Sequence, residues 1–281
     1  DHWLGPLTTG RGIILMLHRV RPWRKLAFAP NQALEISPEF LDLILSTLKI
    51  MGFRLISLND VLPDLRRRTS DRPFAVLTFD DGYRDNLEFA LPVLRKHSAP
   101  WTIYITSQFA EGTGRLWWLE LEKVVAILPQ ITICTENSSS ILLRSETLDE
   151  KIDAFTTIYR VMRQKFQATG SALLQTLHEQ AGIAEANAVR EYCLSWDELR
   201  SLGEDQSVTF GAHTLSHPVL ANESFNSSRN EIAQSRVVIE QHLGCPIRHF
   251  AYPFGDRGAA GAREFQIAKA AGYTTAVTTR A

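Results

Sequence analysis

Two adjacent carboxylates follow a short apolar run in the first third of the chain. The run Phe74-Ala-Val-Leu-Thr-Phe79 leads directly into Asp80, Asp81 and Gly82. Adjacent carboxylates repel each other unless a cation or a shared proton offsets their charge. The doublet therefore indicates that another part of the chain supplies a compensating group.

Two histidines much later in the chain are suited to that purpose. His213 and His217 stand four residues apart in "HTLSHP", and one helical turn there would point both rings the same way. Two imidazoles and one carboxylate form a common ligand set for a catalytic transition metal, with positions left open for water and substrate. An HxxxH pattern alone is also typical of two unrelated surface histidines. Coupled to the Asp doublet, it favours a metal site in which one carboxylate binds the metal and the other accepts a proton from water.

These residues are spread over a chain in which short apolar runs alternate with helical patterns, as in proteins with a parallel sheet. Seven runs are predicted strands: Ile13–Leu17, Phe53–Ser57, Phe74–Phe79, Trp101–Ile105, Ser207–Phe210, His249–Tyr252 and Tyr273–Thr278. Seven such units without a Gly-rich phosphate loop favour an incomplete α/β barrel over an open doubly wound sheet. In such barrels the chemistry gathers where strands end at the C-terminal face.

The polar motifs follow the predicted strands. His18 follows the first strand, the Asp doublet the third, "GAHTLSHP" the fifth and "YPFGD" the sixth. The alternation breaks between about residues 111 and 190, where helical patterns around Trp117–Leu128 and Leu148–Lys165 flank a predicted hairpin across Glu136–Ser140. We expect this mainly helical insertion to form a lid or a wall of the substrate site.

Composition excludes several classes of function. The 281 residues, 44% hydrophobic and 22% charged, are expected to form a single catalytic domain over 1–281. A formal net charge of −1 provides no overall field for nucleic acid. No apolar run approaches the roughly 20 residues of a membrane helix. The oligomeric state is not predicted.

Cysteine usage and the N-terminus bear on the compartment. Cys134, Cys193 and Cys245 are odd in number and widely spaced, so they predict neither a disulfide framework nor a CxxC metal site. No signal-peptide pattern opens the sequence. Both features favour the cytoplasm, although the chain begins without Met and export stays an alternative.

Three motifs, "TFDDG", "HTLSHP" and "FAYPFGD", resemble in this order the first three motifs of the polysaccharide deacetylase family, carbohydrate esterase family four. This family includes chitin, chitooligosaccharide and peptidoglycan deacetylases. The resemblance covers about residues 11 to 281 except the insertion, and it implies a distorted (β/α)7 barrel.

The resemblance also implies a role for each motif residue. Asp80 would be the general base, and Asp81, His213 and His217 would bind one divalent metal ion, most often zinc, with cobalt, nickel or iron as alternatives. The third motif would supply the sugar wall and the oxyanion site, where the Phe254 backbone N–H donates. Its residues are Tyr252, Pro253, Phe254, Gly255 and Asp256.

Two departures from the family pattern stand out. The arginine that usually precedes the third motif is Ala251 here, and Arg84, Arg248 or Arg257 are candidates to replace it. The usual C-terminal acid histidine is also absent, since no His follows His249.

"ILMLHRV" instead places His18 after the first strand, as in the branch of poly-N-acetylglucosamine deacetylases, where an N-terminal His is the acid. A barrel permits this if its first and last strands are neighbours. The alternative is a structural His18 bonded to a backbone carbonyl.

The sequence therefore predicts a metal-dependent hydrolase that removes acetyl groups from an N-acetylated amino sugar, such as N-acetylglucosamine, within a glycan. One alternative is a deformylase or deacetylase of a lipid-linked sugar or a small N-acyl compound. Another is a glycan-binding protein without turnover, suggested by Ala251. Trp117 and Trp118 could stack on sugars or pack in the core, and Asp85 is expected to cap the helix after the doublet.

Overall fold

A computed structural model describes residues 10–67, 71–134, 140–165, 170–183 and 188–280. In chain order its strands are β1 (Gly12–Leu17), β2 (Arg19–Val20), β3 (Glu35–Ile36), β4 (Arg54–Leu55), β5 (Phe74–Phe79), β6 (Trp101–Ile105), β7 (Gln130–Cys134), β8 (Ser140–Arg144), β9 (Val208–Ala212), β10 (His249–Ala251) and β11 (Thr275–Val277). Its helices are α1 (Pro38–Ile50), α2 (Leu58–Arg67), α3 (Leu91–Lys96), α4 (Ser107–Ala110), α5 (Trp117–Ile127), α6 (Leu148–Lys165), α7 (Ser171–Ala181), α8 (Ala188–Tyr192), α9 (Trp196–Leu202), α10 (Phe225–Leu243) and α11 (Ala262–Ala270).

The central sheet is parallel and confirms the predicted barrel class. Its order is β1–β5–β6–β9–β10–β11, and β4 pairs with the first residues of β5. These are the seven predicted strands, with ends that match or are shifted by at most two residues. Strands β1 and β11 end the order, and the described residues form no ladder between them, so the barrel is open there. The first and last strands are thus not hydrogen-bonded to each other in this part of the chain, as expected for an incomplete barrel.

The inner strands are apolar because helices cover the sheet. All six residues of β5 and all five of β6 are buried, which is typical of parallel strands packed on both faces. The rings of Phe79 and Trp101 pack edge to face, with centroids 5.3 Å apart. This core fixes the ends of β5 and β6, where the polar motifs begin.

Helix boundaries follow the local signals in the sequence. The Ser37 hydroxyl accepts the Phe40 N–H at 3.1 Å at the start of α1. Ser195 and Glu198 form the predicted capping box at α9. Asp85 precedes a short π-helical segment, Asn86–Ala90, which leads into α3, but its side chain makes no capping bond. Its carboxylate instead accepts from Arg19 Nε at 2.7 Å. The expected cap at Asp85 is therefore wrong, because a buried cation competes for it.

Residues 111–190 build a second hydrophobic core beside the sheet. Helices α5, α6 and α7 pack around buried Leu121, Ile158 and Leu174, and β7 and β8 form an antiparallel hairpin. Residues 135–139 of the predicted Glu136–Ser140 hairpin lie outside the described residues. None of the helices described is long and apolar enough to span a membrane.

Candidate active site

The strand ends open into a cavity of about 280 Å³. Its lining residues are Met16, His18, Asn31, Leu34, Asp80, Asp81, Trp118, Tyr159, Arg163, His213, His217, Tyr252, Phe254, Asp256 and Thr279. Because parallel strands end at one edge, the predicted residues after β1, β5, β9 and β10 meet there. Of the ten predicted site residues, Pro253 and Gly255 do not belong to this lining.

Three of the lining side chains form a group suited to a metal ion. Nε2 of His217 lies 3.3 Å from Asp81 Oδ1, and Nε2 of His213 lies 3.7 Å from the same oxygen. Asp81 Oδ1 is buried without a hydrogen-bond partner among the described residues. Two imidazole nitrogens around one unpartnered carboxylate oxygen fit a divalent transition metal such as zinc.

The two histidines converge without a helix. Residues 213–219 form no regular element, and both Thr214 (φ 68°) and His217 (φ 63°) adopt the left-handed conformation. The segment therefore makes no helical turn, and its loop conformation brings the two rings together instead. Glu231 of α10 stabilises the loop instead, since its carboxylate accepts from the backbone N–H groups of Leu215 and Ser216 at 2.8 and 3.0 Å.

The tautomer of His213 is set by a backbone carbonyl. His213 Nδ1 lies 2.8 Å from the carbonyl oxygen of Ala251, so Nδ1 donates and Nε2 keeps its lone pair toward Asp81. Burial lowers the pKa of His213 to about 3. Burial and the neighbouring His213 lower the pKa of His217 well below its usual range. Both rings are therefore neutral at pH 7, which is the form that binds a metal.

The carboxylate doublet shows the opposite shift. Burial, and then the charge of Asp81, raise the pKa of Asp80 well above its ordinary value. Burial raises the pKa of Asp81 to about 7, against an opposing effect of the Tyr83 side chain. Asp80 Oδ1 is also buried and unpartnered in the described structure. Both carboxylates therefore lie where a cation would stabilise the ionised form.

Two aromatic side chains, Tyr83 and Trp118, lie next to the Asp80–Asp81 doublet. Tyr83 is fully buried, and Trp118 Nε1 donates to its hydroxyl at 3.2 Å. The Trp118 ring lies 5.1 Å from the His217 ring, centroid to centroid, and Trp118 lines the cavity. Trp117 instead packs on Tyr159 at 4.9 Å within the second core. Both tryptophans therefore pack in the second core, and Trp118 also borders the cavity.

His18 reaches the cavity from the end of β1. It is close enough to His213 and His217 to depress the pKa of both. Burial lowers the pKa of His18 itself to about 4. His18 is thus placed beside the ligand group, and is not a member of the three-residue set.

The third motif forms a strained turn after β10. Phe254 and Gly255 are both left-handed, with φ of 61° and 67°. A Cβ on Gly255 would lie 2.7 Å from the Thr279 backbone nitrogen, so only glycine fits. The Thr279 hydroxyl also donates to the Phe254 carbonyl at 3.1 Å. The chain after β11 therefore holds the turn whose Phe254 N–H was predicted to bind the oxyanion.

None of the three candidate replacement arginines contacts Asp80 in the described residues. Arg84 Nε donates to Glu198 at 2.8 Å. Arg248 lines a separate cavity near the beginnings of β9 and β10, and Arg257 is exposed. The arginine in the site is Arg163, which donates to Asp256. It comes from the insertion, which the three motifs do not cover.

Other lining residues were also missed from sequence. Met16 stands two residues before His18, so strand alternation could have placed it on the same face. Tyr159 and Arg163 are four apart on α6, a spacing that puts them on one face of a helix. Asn31 and Leu34 belong to a single 3-10 turn and Thr279 to an irregular segment, and neither is long enough for periodicity to carry information.

Comparisons with known proteins extend the resemblance. A sequence model described as polysaccharide deacetylase matches residues 67–132 and 147–276. These ranges include most of the insertion, which the three motifs had left unmatched. No curated protein matches the chain significantly.

Solved structures share the fold at low identity. A Streptococcus pyogenes deacetylase, PplD, in complex with acetate matches 96% of this chain and 84% of its own, with 19% identity and a TM-score of 0.59. IcaB from Ammonifex degensii matches the same shares, with 18% identity and a TM-score of 0.58. A de-N-acetylase from Aggregatibacter actinomycetemcomitans matches 94% and 86%, with 16% identity and a TM-score of 0.55. Since the family model spans well over half of the chain, this protein belongs to the polysaccharide deacetylase family.

Proposed function

We propose that the protein removes acetyl groups from N-acetylated amino sugars of a glycan, using one divalent metal ion, zinc in the first instance. One observation carries this proposal. The ligand atoms of Asp81, His213 and His217 lie close together in one cavity. The buried carboxylate of Asp80 lines the same cavity. When bound, the metal would supply Lewis acidity toward the acetyl carbonyl and would lower the pKa of water.

Asp80 is suited to the base role because nothing else in the described structure occupies Oδ1. A metal ion beside the doublet would keep Asp80 ionised, and the carboxylate then accepts the proton of the attacking water. The Phe254 N–H in the strained turn is the oxyanion donor, since hydrogen bonds aimed at developing charge are strong in a dry site.

His18 is the proposed acid for the leaving nitrogen. Its lowered pKa means that the ring is neutral in the unliganded protein at pH 7. It therefore takes a proton from solvent after substrate fills the cavity, when negative charge developing on the acetyl oxygen favours the charged ring, and it passes that proton to the leaving nitrogen. Once protonated, a histidine of low pKa is a strong acid, which suits an amine that is otherwise a poor leaving group.

Acetate release tests the proposal directly. Chitooligosaccharides, poly-N-acetylglucosamine, peptidoglycan and lipid-linked N-acetyl sugars would be assayed with the metal-stripped protein and after adding zinc, cobalt, nickel or iron. We expect release from at least one glycan only with metal, and loss of both metal and release in His217→Ala.

His242→Ala is the matched control, because His242 lies on α10 with its ring stacked on Trp196 at 4.2 Å. Full metal occupancy in His217→Ala would contradict the assignment. Tight glycan binding with no release under any metal would establish the non-catalytic alternative instead.

A further inference from the structure

We propose that Arg163 of helix α6 is a positioning residue for the strained turn that carries the oxyanion donor. This inference rests on the proposed function, which assigns that role to the Phe254 N–H. It connects the insertion to the reaction itself, since α6 belongs to residues 111–190 and the turn belongs to the barrel.

Arg163 contacts the turn at two side chains. Its guanidinium donates to the Asp256 carboxylate, and its Cζ lies 4.8 Å from the centroid of the Phe254 ring. The same ring also contacts His217, with the two centroids 5.0 Å apart. Phe254 is therefore in contact with both the cation from the insertion and a proposed metal ligand.

The turn needs such contacts because its backbone is unfavourable. A non-glycine residue in the left-handed conformation, here Phe254, costs about 1–2 kcal/mol, and surrounding contacts must over-determine it. Thr279 holds the backbone side through the Phe254 carbonyl and the Gly255 carbonyl, at 3.1 and 3.2 Å. Arg163 instead contacts side chains of the turn, the Phe254 ring and the Asp256 carboxylate.

The exposure of the Arg163 and Asp256 side chains indicates that their ion pair sets the geometry of the turn and adds little to the stability of the fold. The side chains of Arg163 and Asp256 are 31% and 45% exposed, and pairs at such sites add at most about 1 kcal/mol to stability. Asp256 is itself fixed by the Gly258 N–H at 2.8 Å. A cation on a fixed carboxylate sets the position of Phe254 while adding little to the free energy of unfolding.

Helix α6 can hold the Arg163 guanidinium at the turn because other residues of the same helix pack in the second core. Tyr159, one turn earlier, lines the same cavity and packs on Trp117 at 4.9 Å and on Phe155 at 5.7 Å. The helix face toward the cavity is therefore held by the second core. A change in that core would reach the oxyanion turn through Arg163.

Steady-state kinetics of Arg163→Gln, Asp256→Asn and the double variant test the inference. Misplacing a catalytic donor by about 1 Å can cost up to 10²-fold, so we expect kcat to fall about 10- to 100-fold in Arg163→Gln. KM and metal affinity should change less than about threefold, and Arg163→Lys should restore part of kcat. Because Arg163 acts partly through Asp256, the double variant should lose less than the product of the two single losses.

Arg160→Gln is the matched control, since Arg160 is an exposed arginine on the same helix. Unchanged kcat in Arg163→Gln overturns the inference. A rise in KM alone, or multiplicative losses in the double variant, would make Arg163 a substrate contact and also overturn it.

Hydrogen exchange provides a readout that needs no substrate. We expect the amides of residues 254–258 to exchange faster in Arg163→Gln than in the wild type or Arg160→Gln. Unchanged exchange would refute the link between helix and turn even if no glycan is deacetylated. A wild type with a protected turn and no acetate release would refute the proposed function alone.

Discussion

Replacing Asp81 by Asn should stabilise the metal-free protein, and the sign and size follow from its burial. Asp81 is 2% exposed, and its Oδ1 faces two neutral imidazoles at 3.3 and 3.7 Å. Asn keeps the shape of the side chain and removes the ionisable group. The comparison therefore isolates the cost of ionising Asp81 without a cation.

The magnitude comes from the raised pKa. A carboxyl pKa raised from 3.8 to about 7 corresponds to about 4 kcal/mol, at roughly 1.4 kcal/mol per pH unit. A raised carboxyl pKa means that the folded state binds the proton more tightly, so stability is highest below pH 3.8 and is lost as pH rises toward 7. Metal-free wild type should be less stable than Asp81→Asn by about 4 kcal/mol at pH 8 and by about 2 kcal/mol at pH 5.

Urea unfolding in a chelating buffer at the two pH values measures this difference. The histidines titrate in both proteins, so most of their contribution cancels. Zinc at about 100 times its Kd should then stabilise the wild type by about 2.7 kcal/mol and leave the variant unchanged. Equal stabilities at pH 8 without metal, or equal stabilisation of both proteins by zinc, would refute the reasoning.

Three further predictions concern the same site. Metal affinity should fall about tenfold per pH unit below pH 7, because Asp81 must lose its proton to bind; a flat calorimetric profile between pH 5 and 7 would contradict this. His18→Ala and Asp80→Asn should each lower kcat about 10²–10⁴-fold and keep bound metal, as measured by acetate release and metal analysis; near-normal turnover in either variant would end its assignment. Tyr83→Phe should weaken metal affinity by about 10–100-fold with little change in helix content, whereas unchanged affinity would leave Tyr83 a packing residue.

The sequence predicted the strands and the motif residues well because those signals are local. A continuous apolar run such as Phe74–Phe79 predicts a strand that is buried on both faces, and polar residues that follow parallel strands meet at one edge. Strand ends were less accurate, since β4 covers only Arg54–Leu55 and β9 extends to Ala212. The ends of a strand depend on which other strands pair with it, and a single sequence does not show that pairing.

The remaining features depend on contacts between distant segments. Asp85 looked like a helix cap, but Arg19, 66 residues earlier, pairs with it in a buried site. In the sequence Arg163 has no feature that separates it from other helix arginines, and only the folded chain brings it over the Phe254 ring. Side chains of this kind are chosen by tertiary position, so neither spacing nor residue type could indicate them.

Backbone strain in the described chain is concentrated where the proposed chemistry requires it. The non-glycine residues with positive φ are Asp81, Ser98, Thr214, His217 and Phe254. All except Ser98 belong to the three motifs. A regular helix would point the ligating atoms of "HTLSHP" along one face, whereas a left-handed residue can turn a side chain back toward another strand end.

The strained segments in the second and third motifs are held by side chains from elsewhere in the fold. Glu231 binds the loop between Thr214 and His217, and Thr279 and Arg163 hold Phe254. These supports come from α10, the end of the chain and the insertion. The site therefore depends on the whole barrel and its insertion, and a local copy of the three motifs would not reproduce its geometry.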